Sequence, residues 1–467
     1  MNDTSISEKL AAQIDRISYD QLPESTITKA KLCILDLLGA HYAGYRIAPC
    51  DAVRGYISYI KGEAQSTVWS TGERTSCTEA AFANSAIAHV TVFDDMHAKS
   101  ASHYGSMMIP AALALGEYLG CGGRDLITSI VAGYEAGIRV GSAITSPFFA
   151  NSGFRPSGTF GAIGSAATTG RLLRLSREQM VNAFGLAANF GVGLMAWAND
   201  GTDDSMYHTA LASRNGMLSA MLAKSGAVAP RHVFEIKDGF AKVYAGNEQA
   251  SQAIIANADS RYKIEEVYFK PVAACAFVQS AARATLQIAS KKDFNVEDIT
   301  EIEVRVFPQG KHYPGLDYHG PFHGVMQAQM SNPFTIASIL AKGHIRFEDF
   351  TVLNDPIVQM LAAKVRLLVD EEAASRWPGE QLVKIKMTLK DGTARESVSN
   401  NPHFLTPDEV LAKCRLYVGD ALGETAAAQL IEMVQDIETV GKVSALAEII
   451  RCSFKTSGAR AEAATRT

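Results

Sequence analysis

Hydrophobic positions recur at helical spacing through the first 260 or so residues of the chain. In "TKAKLCILDLLGAHYAG" the apolar side chains between Leu32 and Leu38 form one broad face. "LSREQMVNAFGLAANFGVG" has Ser176 and Gln179 at the spacing of a capping box, which marks the start of a helix. A third apolar segment, "ALASRNGMLSAMLAKSGA", closes at Gly226. This half of the chain is therefore predicted to be helical.

The period of the pattern changes to two near residue 300. "EIEVRVF" (301–307) alternates apolar and charged residues, as a half-buried strand does. "VKIKMTLKDGTARES" repeats the alternation from Val383 onwards. The dipeptide Asp391-Gly392 that follows is a strong signal for a tight hairpin. The pattern predicts a smaller α+β domain over 269–403.

Two helices are predicted from their termini in the second half of the chain. "SNPFTIASILAKG" has Asn332 as the expected cap, Pro333 in the first turn and Gly343 at the end. Thr406 and Glu409 form a second capping box, with a proline between them. Helical patterning therefore returns after the strands.

This order of patterns predicts a mainly α fold. A large all-helical domain would be built from both chain ends, 1–268 and 404–460, and 269–403 would form an α+β lid. Residues 461–467 are expected to be a disordered tail. The cleft between the two domains is the expected place for a ligand.

Composition narrows the classes of function. The chain has 467 residues, 47% hydrophobic and 20% charged, with a net charge of −5, which fits a two-domain globular protein and offers nothing to nucleic acid or an anionic membrane. No apolar run approaches the length of a membrane span, and the first residues lack the core of a secretory signal. Seven scattered cysteines without a CxxC pair indicate reduced thiols and a cytoplasmic location.

Two segments each admit two interpretations. "GTFGAIGSAATTG" is rich in small residues, which suits either close helix packing or a phosphate loop. It lacks the GxxxxGK[ST] motif and a preceding strand, so packing is favoured. "GKHYPGLDYHGPFHG" (310–324) is dense in histidine and tyrosine, which fits a site or a packed connection.

The first candidate site is the polar segment "FDDMHAKSASHYGSMMIP" (93–110). His97 and His103 lie six residues apart without a metal-binding helical spacing, so a metal site is not favoured. A histidine beside Asp94 has a defined tautomer and can move a proton near neutral pH. Alternatively, Asp94 and Asp95 cap a helix that begins near Met108, and the histidines are merely solvated.

Four other residues are candidates for chemistry or binding. Arg155 precedes a proline and a helix-like run, where it can hold a carboxylate or lie on the surface. His208, in the first turns of a helix, is either a polar wall or a satisfied core histidine. Lys270, at the junction of the two patterns, is an anion binder or an exposed linker charge. Cys275 is expected to open a helix, but no base accompanies it in sequence.

Several segments together, in their order along the chain, resemble the MmgE/PrpD family. They are "ANSAIAHVTVFDDMH", "HYGSMMIPAALALGE", "RPSGTFGAIGSAATTGRLLRLS", "MYHTALASRNGMLSAMLA", "FKPVAAC" and the Asn332-Pro333 helix, and they span about residues 5 to 455. The resemblance implies the two-domain architecture above and a homodimer. It also implies a small carboxylated substrate, no metal or organic cofactor, and proton transfer at carbons beside carboxylates.

Residue by residue, the resemblance is uneven. Asp94, Asp95, His103, His208 and Lys270 match the family's pattern. The family commonly has other groups at six positions: an acid at Val92, threonine at Met96, histidine at Arg155, lysine at Ser205, histidine near Cys275 and tyrosine near Phe334. Arginine at position 155 supplies a positive charge but cannot exchange a proton at neutral pH. The apolar side chains of Val92, Met96 and Phe334 imply a less polar pocket.

These observations lead to one hypothesis about function. The chain is expected to be a lyase of the dehydratase or decarboxylase type, with His103 as proton shuttle, Asp94 orienting it and His208 as a second polar group. The expected substrate contacts are Arg155, Lys270, Asp95, Tyr104, Ser205 and Cys275. The alternatives are an isomerase, epimerase or cyclase acting on a less polar substrate, and a binding homodimer with a decayed site.

Overall fold

Helices form most of the molecule. A computed structural model describes residues 4–60, 62–256 and 261–464, with side chains as far as Phe454. The helices before the sheet are α1 (Ile6–Asp15), α2 (Glu24–Gly44), α3 (Pro49–Ile60), α4 (Cys77–His89), α5 (Gly105–Leu119), α6 (Gly123–Ile144), α7 (Pro147–Asn151), α8 (Pro156–Leu172), α9 (Arg177–Ala188), α10 (Ala196–Asp200), α11 (Ser205–Lys224), α12 (Phe240–Ala245) and α13 (Gln279–Ala289). A short hairpin, β1 (Ser66–Thr67) with β2 (Arg74–Thr75), interrupts them. The expectation of a mainly α fold is confirmed.

A four-stranded sheet follows in the second half of the chain. Its strands are β3 (Ile299–Val306), β4 (Val365–Val369), β5 (Val383–Leu389) and β6 (Ala394–Ser399), in the order β4-β3-β5-β6. The intervening helices are α14 (Pro308–His312), α15 (Val325–Met330), α16 (Asn332–Lys342), α17 (Pro356–Ala362) and α18 (Glu371–Arg376).

The register of the sheet follows the alternating sequence pattern. Val304 of β3 lies opposite Ile385 of the antiparallel β5, and both side chains are buried. β5 and β6 are antiparallel and joined by a tight turn in which Gly392 has φ +82°, so the predicted hairpin is confirmed. β4 pairs in parallel with β3, with Ile302 opposite Val365, and this strand was not predicted from the sequence pattern.

The chain then returns to its first helices. The last elements are α19 (Pro407–Leu422), α20 (Glu424–Gln435) and α21 (Ser444–Ala464). α19 packs on α2, where Lys413 Nζ donates a hydrogen bond of 2.8 Å to Asp36 Oδ1. The predicted tail, 461–467, lies partly outside the described residues. The predicted domain boundaries stay a prediction.

The first helical half contains the small-residue run as part of the buried helix α8. α8 packs against α6, and Gly133 and Gly164 let the two backbones approach closely. The packing interpretation of this run is therefore confirmed. Among the described residues, no helix has the length and apolar character needed to cross a bilayer.

Three local expectations need correction. The cap of α16 is Ser331, whose hydroxyl accepts from the Phe334 amide, and Asn332 is already helical. α5 begins at Gly105 rather than near Met108. Cys275 lies in a turn before α13, so it does not open a helix. In each case the helix boundary differs from the sequence pattern by a few residues.

The contact between α6 and α8 gives a stability prediction. A methyl group at Gly133 would lie 1.9 Å from Thr168 Oγ1 and 3.0 Å from the Gly164 carbonyl oxygen. Gly133→Ala is therefore expected to lower the free energy of unfolding by about 1–3 kcal/mol, as overpacking does. Chemical denaturation measures this change.

The matched control for this substitution is Gly55→Ala. Gly55 lies inside α3, is exposed, and would place its methyl group more than 4 Å from any atom beyond its chain neighbours and the adjacent turns of helix backbone. Helix propensity alone then acts, and we expect a gain of about 0.5–1 kcal/mol. Equal effects of the two substitutions would contradict the assignment of close packing to the α6–α8 contact.

Candidate active site

The loop between α4 and α5, residues 90–104, holds the central polar cluster. Asp94 and Asp95 are fully buried in it. Val92, two residues before Asp94, has φ +48°. A β-branched residue in the left-handed region costs about 1–3 kcal/mol and persists only where the surroundings hold it. The loop is therefore fixed by tertiary contacts and not by its own backbone preference.

Asp94 lies between two imidazoles. His89, the last residue of α4, places Nδ1 at 3.1 Å from both carboxylate oxygens. His103 Nδ1 lies 3.1 Å from Asp94 Oδ1, a close contact that is not aligned as a hydrogen bond. The two rings meet edge to face, with centroids 4.8 Å apart. One carboxylate therefore orients two histidines.

Arg155 extends this chain of contacts from the other side. Its Nη2 lies 2.6 Å from His89 Nε2, and its Nη1 donates to the carbonyl oxygen of Ser205. A guanidinium can only donate, so His89 Nε2 accepts and the ring proton sits on Nδ1, facing Asp94. The guanidinium carbon also lies 5.3 Å from the centroid of the Trp197 ring, within cation–π range.

The electrostatics of the cluster agree with this assignment. Burial lowers the pKa of His89 to about 3, and the nearby Arg155 charge acts in the same direction despite Asp94. Burial alone would raise the pKa of Asp94, but the contacts with His103 and His89 outweigh it and hold that pKa well below its usual range. His89 is therefore neutral and Asp94 ionised at neutral pH.

His103 is the histidine that reaches the cavity. Burial lowers its pKa below the ordinary value, and the Asp94 carboxylate opposes that shift. Its Nδ1 side faces Asp94, so the opposite nitrogen, Nε2, is left for a ligand. A neutral imidazole held by a carboxylate is the form that accepts a proton.

A cavity of about 60 Å³ adjoins this cluster. Its polar wall consists of His103, Arg155, Ser157, Ser205, Cys275 and Tyr313. The remaining wall is apolar and consists of Val92, Met96, Ala101, Pro156, Trp197, Ala276, Phe277 and Met330. The second half of the chain contributes the last side of the cavity, so both halves of the sequence are needed to form it.

Most of the residues predicted from sequence converge here. His103, Arg155, Ser205 and Cys275 line the cavity, and Asp94 lies behind His103. Lys270 is buried nearby, where its ammonium donates to the carbonyl oxygens of Val92 and Ala274. Burial lowers the pKa of Lys270 to about 8, although the Asp94 charge opposes that shift.

Two other predicted residues, Asp95 and Tyr104, lie elsewhere. Asp95 accepts from the Gly105 amide at 2.8 Å and from the Tyr134 hydroxyl at 2.5 Å, so it caps α5. Tyr104 is buried beside α6, where its hydroxyl donates to the Gly137 carbonyl oxygen at 2.9 Å. The helix-capping interpretation of the acidic pair thus describes Asp95.

His208 and Phe334 do not line the cavity either. His208 Nε2 lies 3.5 Å from Oδ2 of Asp204, the residue just before α11. Burial lowers the pKa of His208 to about 4, and the Arg155 charge adds to that effect. Phe334 packs against Phe322 and Phe350 in the core of the second half of the chain. The roles assigned to Asp95, Tyr104 and His208 remain predictions.

Sequence reasoning missed two members of the site. His89 stands five residues before Asp94 in the quoted "AIAHVTVFDD" segment, and its place at the end of a helix was the available signal. Tyr313 belongs to the histidine- and tyrosine-rich loop, which was equally compatible with a packed connection. Burial raises the pKa of Tyr313, so its hydroxyl stays protonated and can donate.

The cluster also has the composition of a small metal site. One ligand atom from each of His89, Asp94 and His103 lies within 4.8 Å of the others. However, His89 directs one nitrogen to Asp94 and accepts from Arg155 with the other. A metal cation here would face the guanidinium charge and compete for the same lone pair. The arrangement suits proton transfer better than metal binding.

The chain belongs to the MmgE/PrpD family. The model of the MmgE/PrpD N-terminal domain matches residues 8–253, and that of the MmgE/PrpD C-terminal domain matches residues 272–439. The resemblance seen in the sequence is thus confirmed.

Its curated relatives include cis-aconitate decarboxylases. The enzyme of Aspergillus terreus is 24% identical, over 97% of this chain and 97% of its own length. The human enzyme is 26% identical over 96% of this chain and 95% of its own, and the mouse enzyme is 26% identical over 96% and 93%. The similarity thus extends over nearly the full length of both chains.

Proposed function

We propose that this protein is a lyase of the decarboxylase or dehydratase type that acts on a small carboxylic acid. The main observation behind this proposal is the position of His103. It contacts Asp94 and faces a cavity that Arg155 also lines. Membership of the MmgE/PrpD family and similarity to decarboxylases support the same class. The chemistry needs no metal or organic cofactor, because these side chains supply the base and the positive charge.

The proposed mechanism is proton transfer at a carbon beside a carboxylate. In an elimination, His103 Nε2 takes the proton from the carbon beside the carboxylate, negative charge grows on that carboxylate, where Arg155 stabilises it, and the imidazolium returns a proton to the hydroxyl that leaves as water. In a decarboxylation, Arg155 binds the carboxylate that leaves as carbon dioxide, the electron pair of the broken bond stays on the carbon, and the His103 imidazolium protonates that carbon. Asp94 favours the imidazolium that forms during the cycle. Lys270 adds positive charge from behind the cavity wall.

The cavity wall indicates the kind of acid. Among the described residues that line it, Arg155 is the one permanently charged cation, and Ser205 and Cys275 stand where the family commonly has cationic or titratable side chains. Val92, Met96 and Phe277 are apolar. We therefore propose a substrate with a single carboxylate at its reacting end and a less polar body than a tricarboxylic acid has.

A second cavity, whose lining includes Lys311 and Asp317, lies beside the first. It has a volume of about 390 Å³ and shares Trp197, Tyr313 and Met330 with the cavity beside His103. These three side chains therefore form the partition between the two spaces. Movement of the flexible Met330 side chain would join them. We propose that the substrate enters through the larger cavity.

The dependence of activity on pH follows from His103 and Lys270. For an elimination, the acidic limb of kcat/KM is expected below pH 6.5, because burial lowers the pKa of His103 and the reaction needs the neutral imidazole. For a decarboxylation, which needs the imidazolium, kcat/KM is instead expected to fall as the pH rises through the same pKa. The alkaline limb is expected near pH 8, where Lys270 loses its charge. A pH–rate profile measures both limbs, and Lys270→Met should abolish the alkaline one. A plateau that extends past pH 9 in the unaltered protein would contradict the role of Lys270.

The direct test uses a panel of acids in deuterated water. Mono-, di- and tricarboxylic acids, saturated and unsaturated, are incubated with the protein, and carbon dioxide release, double-bond absorbance and deuterium incorporation are followed. Decarboxylation or water loss with at least one acid is expected, preferably one with a single carboxylate. Exchange without net loss of carbon dioxide or water would instead indicate an isomerase or epimerase. Thermal stabilisation by an acid without any exchange would indicate a binding protein. Measurement of the molar mass in solution tests the proposed homodimer.

A further inference from the structure

Three consecutive carbonyl groups of the 90–104 loop are each held by a buried side chain from a distant part of the chain. Gln329 Nε2 donates to the Thr91 oxygen at 2.5 Å, Lys270 Nζ donates to the Val92 oxygen, and Lys413 Nζ donates to the Phe93 oxygen at 2.6 Å. The next residue is Asp94. The backbone that presents the carboxylate is therefore fixed at three successive points.

Gln329 and Lys413 each make a further contact that holds the side chain in place. Gln329, at the end of α15, also donates to the Ala273 carbonyl oxygen at 2.9 Å. Lys413, in α19, is 6% exposed and forms its ion pair with the buried Asp36 of α2. The Lys413 ammonium also lies 3.6 Å from the centroid of the Phe93 ring. Neither donor is free to move independently of the element that carries it.

The conformation of the loop requires such donors. The peptide groups around Val92 are buried and its φ of +48° keeps the loop out of helix or strand, so no regular ladder satisfies its carbonyl oxygens. Removing a donor leaves a buried oxygen unpaired and frees the backbone to turn. The first side chain that such a turn redirects is the Asp94 carboxylate.

We propose that Lys413 and Gln329 are positioning residues of the active site, which together with Lys270 set the direction in which Asp94 meets His103. Neither contacts the cavity, and both act through the loop backbone. This inference rests on the proposed function in one respect, namely that the Asp94–His103 contact serves proton transfer. The contact itself can be measured without a substrate.

The readout is the reactivity of His103 toward diethyl pyrocarbonate, which modifies neutral imidazole. Peptide mass spectrometry separates His103 from the other histidines, and the modification rate against pH gives the midpoint for His103. Its charged and titratable neighbours are Asp94, His89, Arg155 and Lys270. Since Asp94 stabilises the imidazolium, Asp94→Asn should lower this midpoint by about one pH unit, which provides the reference.

Two variants test the positioning role. Gln329→Met removes the bond to Thr91 without changing charge, and the double variant Lys413→Met/Asp36→Asn removes the bond to Phe93 without leaving a buried carboxylate unpaired. Both are expected to shift the His103 midpoint in the same direction as Asp94→Asn. With a substrate in hand, both should lower kcat about tenfold with KM nearly unchanged. Lys413→Arg keeps the charge and should retain most of the activity.

The matched control removes a partly buried ion pair elsewhere in the chain. Lys342 and Asp349 lie 2.8 Å apart and touch none of residues 91–94, so Lys342→Met/Asp349→Asn should leave the midpoint unchanged. An unchanged midpoint in folded Gln329→Met would overturn the proposal, as would an equal shift in the control. Failure of both test variants to fold would also overturn it, because the contacts would then serve folding. If no acid is turned over but the midpoint shifts as expected, the inference stands and the proposed function fails.

Discussion

His103→Gln is expected to lower kcat about 10²- to 10⁴-fold, the contribution usual for a general acid–base group. Glutamine is close to histidine in size and keeps hydrogen-bonding groups, but it cannot take up and release a proton at the substrate carbon. Deuterium incorporation from solvent should be lost together with product formation, because both require the same proton transfer. Steady-state kinetics and mass spectrometry of the recovered acid measure the two effects.

The control for this variant is His323→Gln. His323 is exposed in the loop before α15 and does not line the cavity beside His103. Its replacement should leave both rate and exchange unaltered. Should His103→Gln keep wild-type exchange while folding normally, another group moves the proton and the proposed role of His103 is wrong. A loss of product with exchange preserved would place His103 after the carbon–hydrogen step.

Arg155→Met is expected to lower kcat/KM about 10²-fold for the preferred acid. Methionine is similarly extended but uncharged, and a hydrogen bond to a charged group contributes about 1.5–3 kcal/mol. KM should carry much of the loss, since the carboxylate is bound in the ground state. The variant also removes the donor to His89 Nε2, so part of the loss should appear in kcat.

Two further substitutions separate charge from geometry at this position. Arg155→Lys keeps a positive charge but cannot reach His89 and the substrate with a rigid fork, and it should recover KM better than kcat. Arg155→His restores the group that the family commonly has there. Wild-type kinetics in folded Arg155→Met would show that the substrate carboxylate binds elsewhere.

The parts of the fold that sequence could predict were those with a local cause. Alternation over 301–307 and from Val383 onwards predicted two strands, because each strand has one buried face. The capping boxes at Ser176 and Thr406 were correct, because each is complete within four residues. β4 was missed because its sequence, Val-Arg-Leu-Leu-Val, is only five residues long and does not alternate.

The candidate site shows the same division. Asp94, Asp95 and His103 are close in sequence, so a contact between an acid and His103 was predictable. Which of the two acids makes that contact was not. Asp95 is used by the Gly105 amide and by Tyr134 on α6, a contact with no local signal. The sequence held no local signal for Lys413, because its partners Asp36 and Phe93 lie more than three hundred residues away.

The three side chains that hold the loop before Asp94 also determine when, during synthesis of the chain, the site can form. Translation adds His89, Asp94 and His103 early and Lys270 and Gln329 much later. Lys413 is added when nearly nine-tenths of the polypeptide has been made. A nascent chain therefore carries its reactive groups long before it can align them. We expect chemical competence to arise only when α19 docks on α2, so that an unfinished polypeptide stays inert during translation.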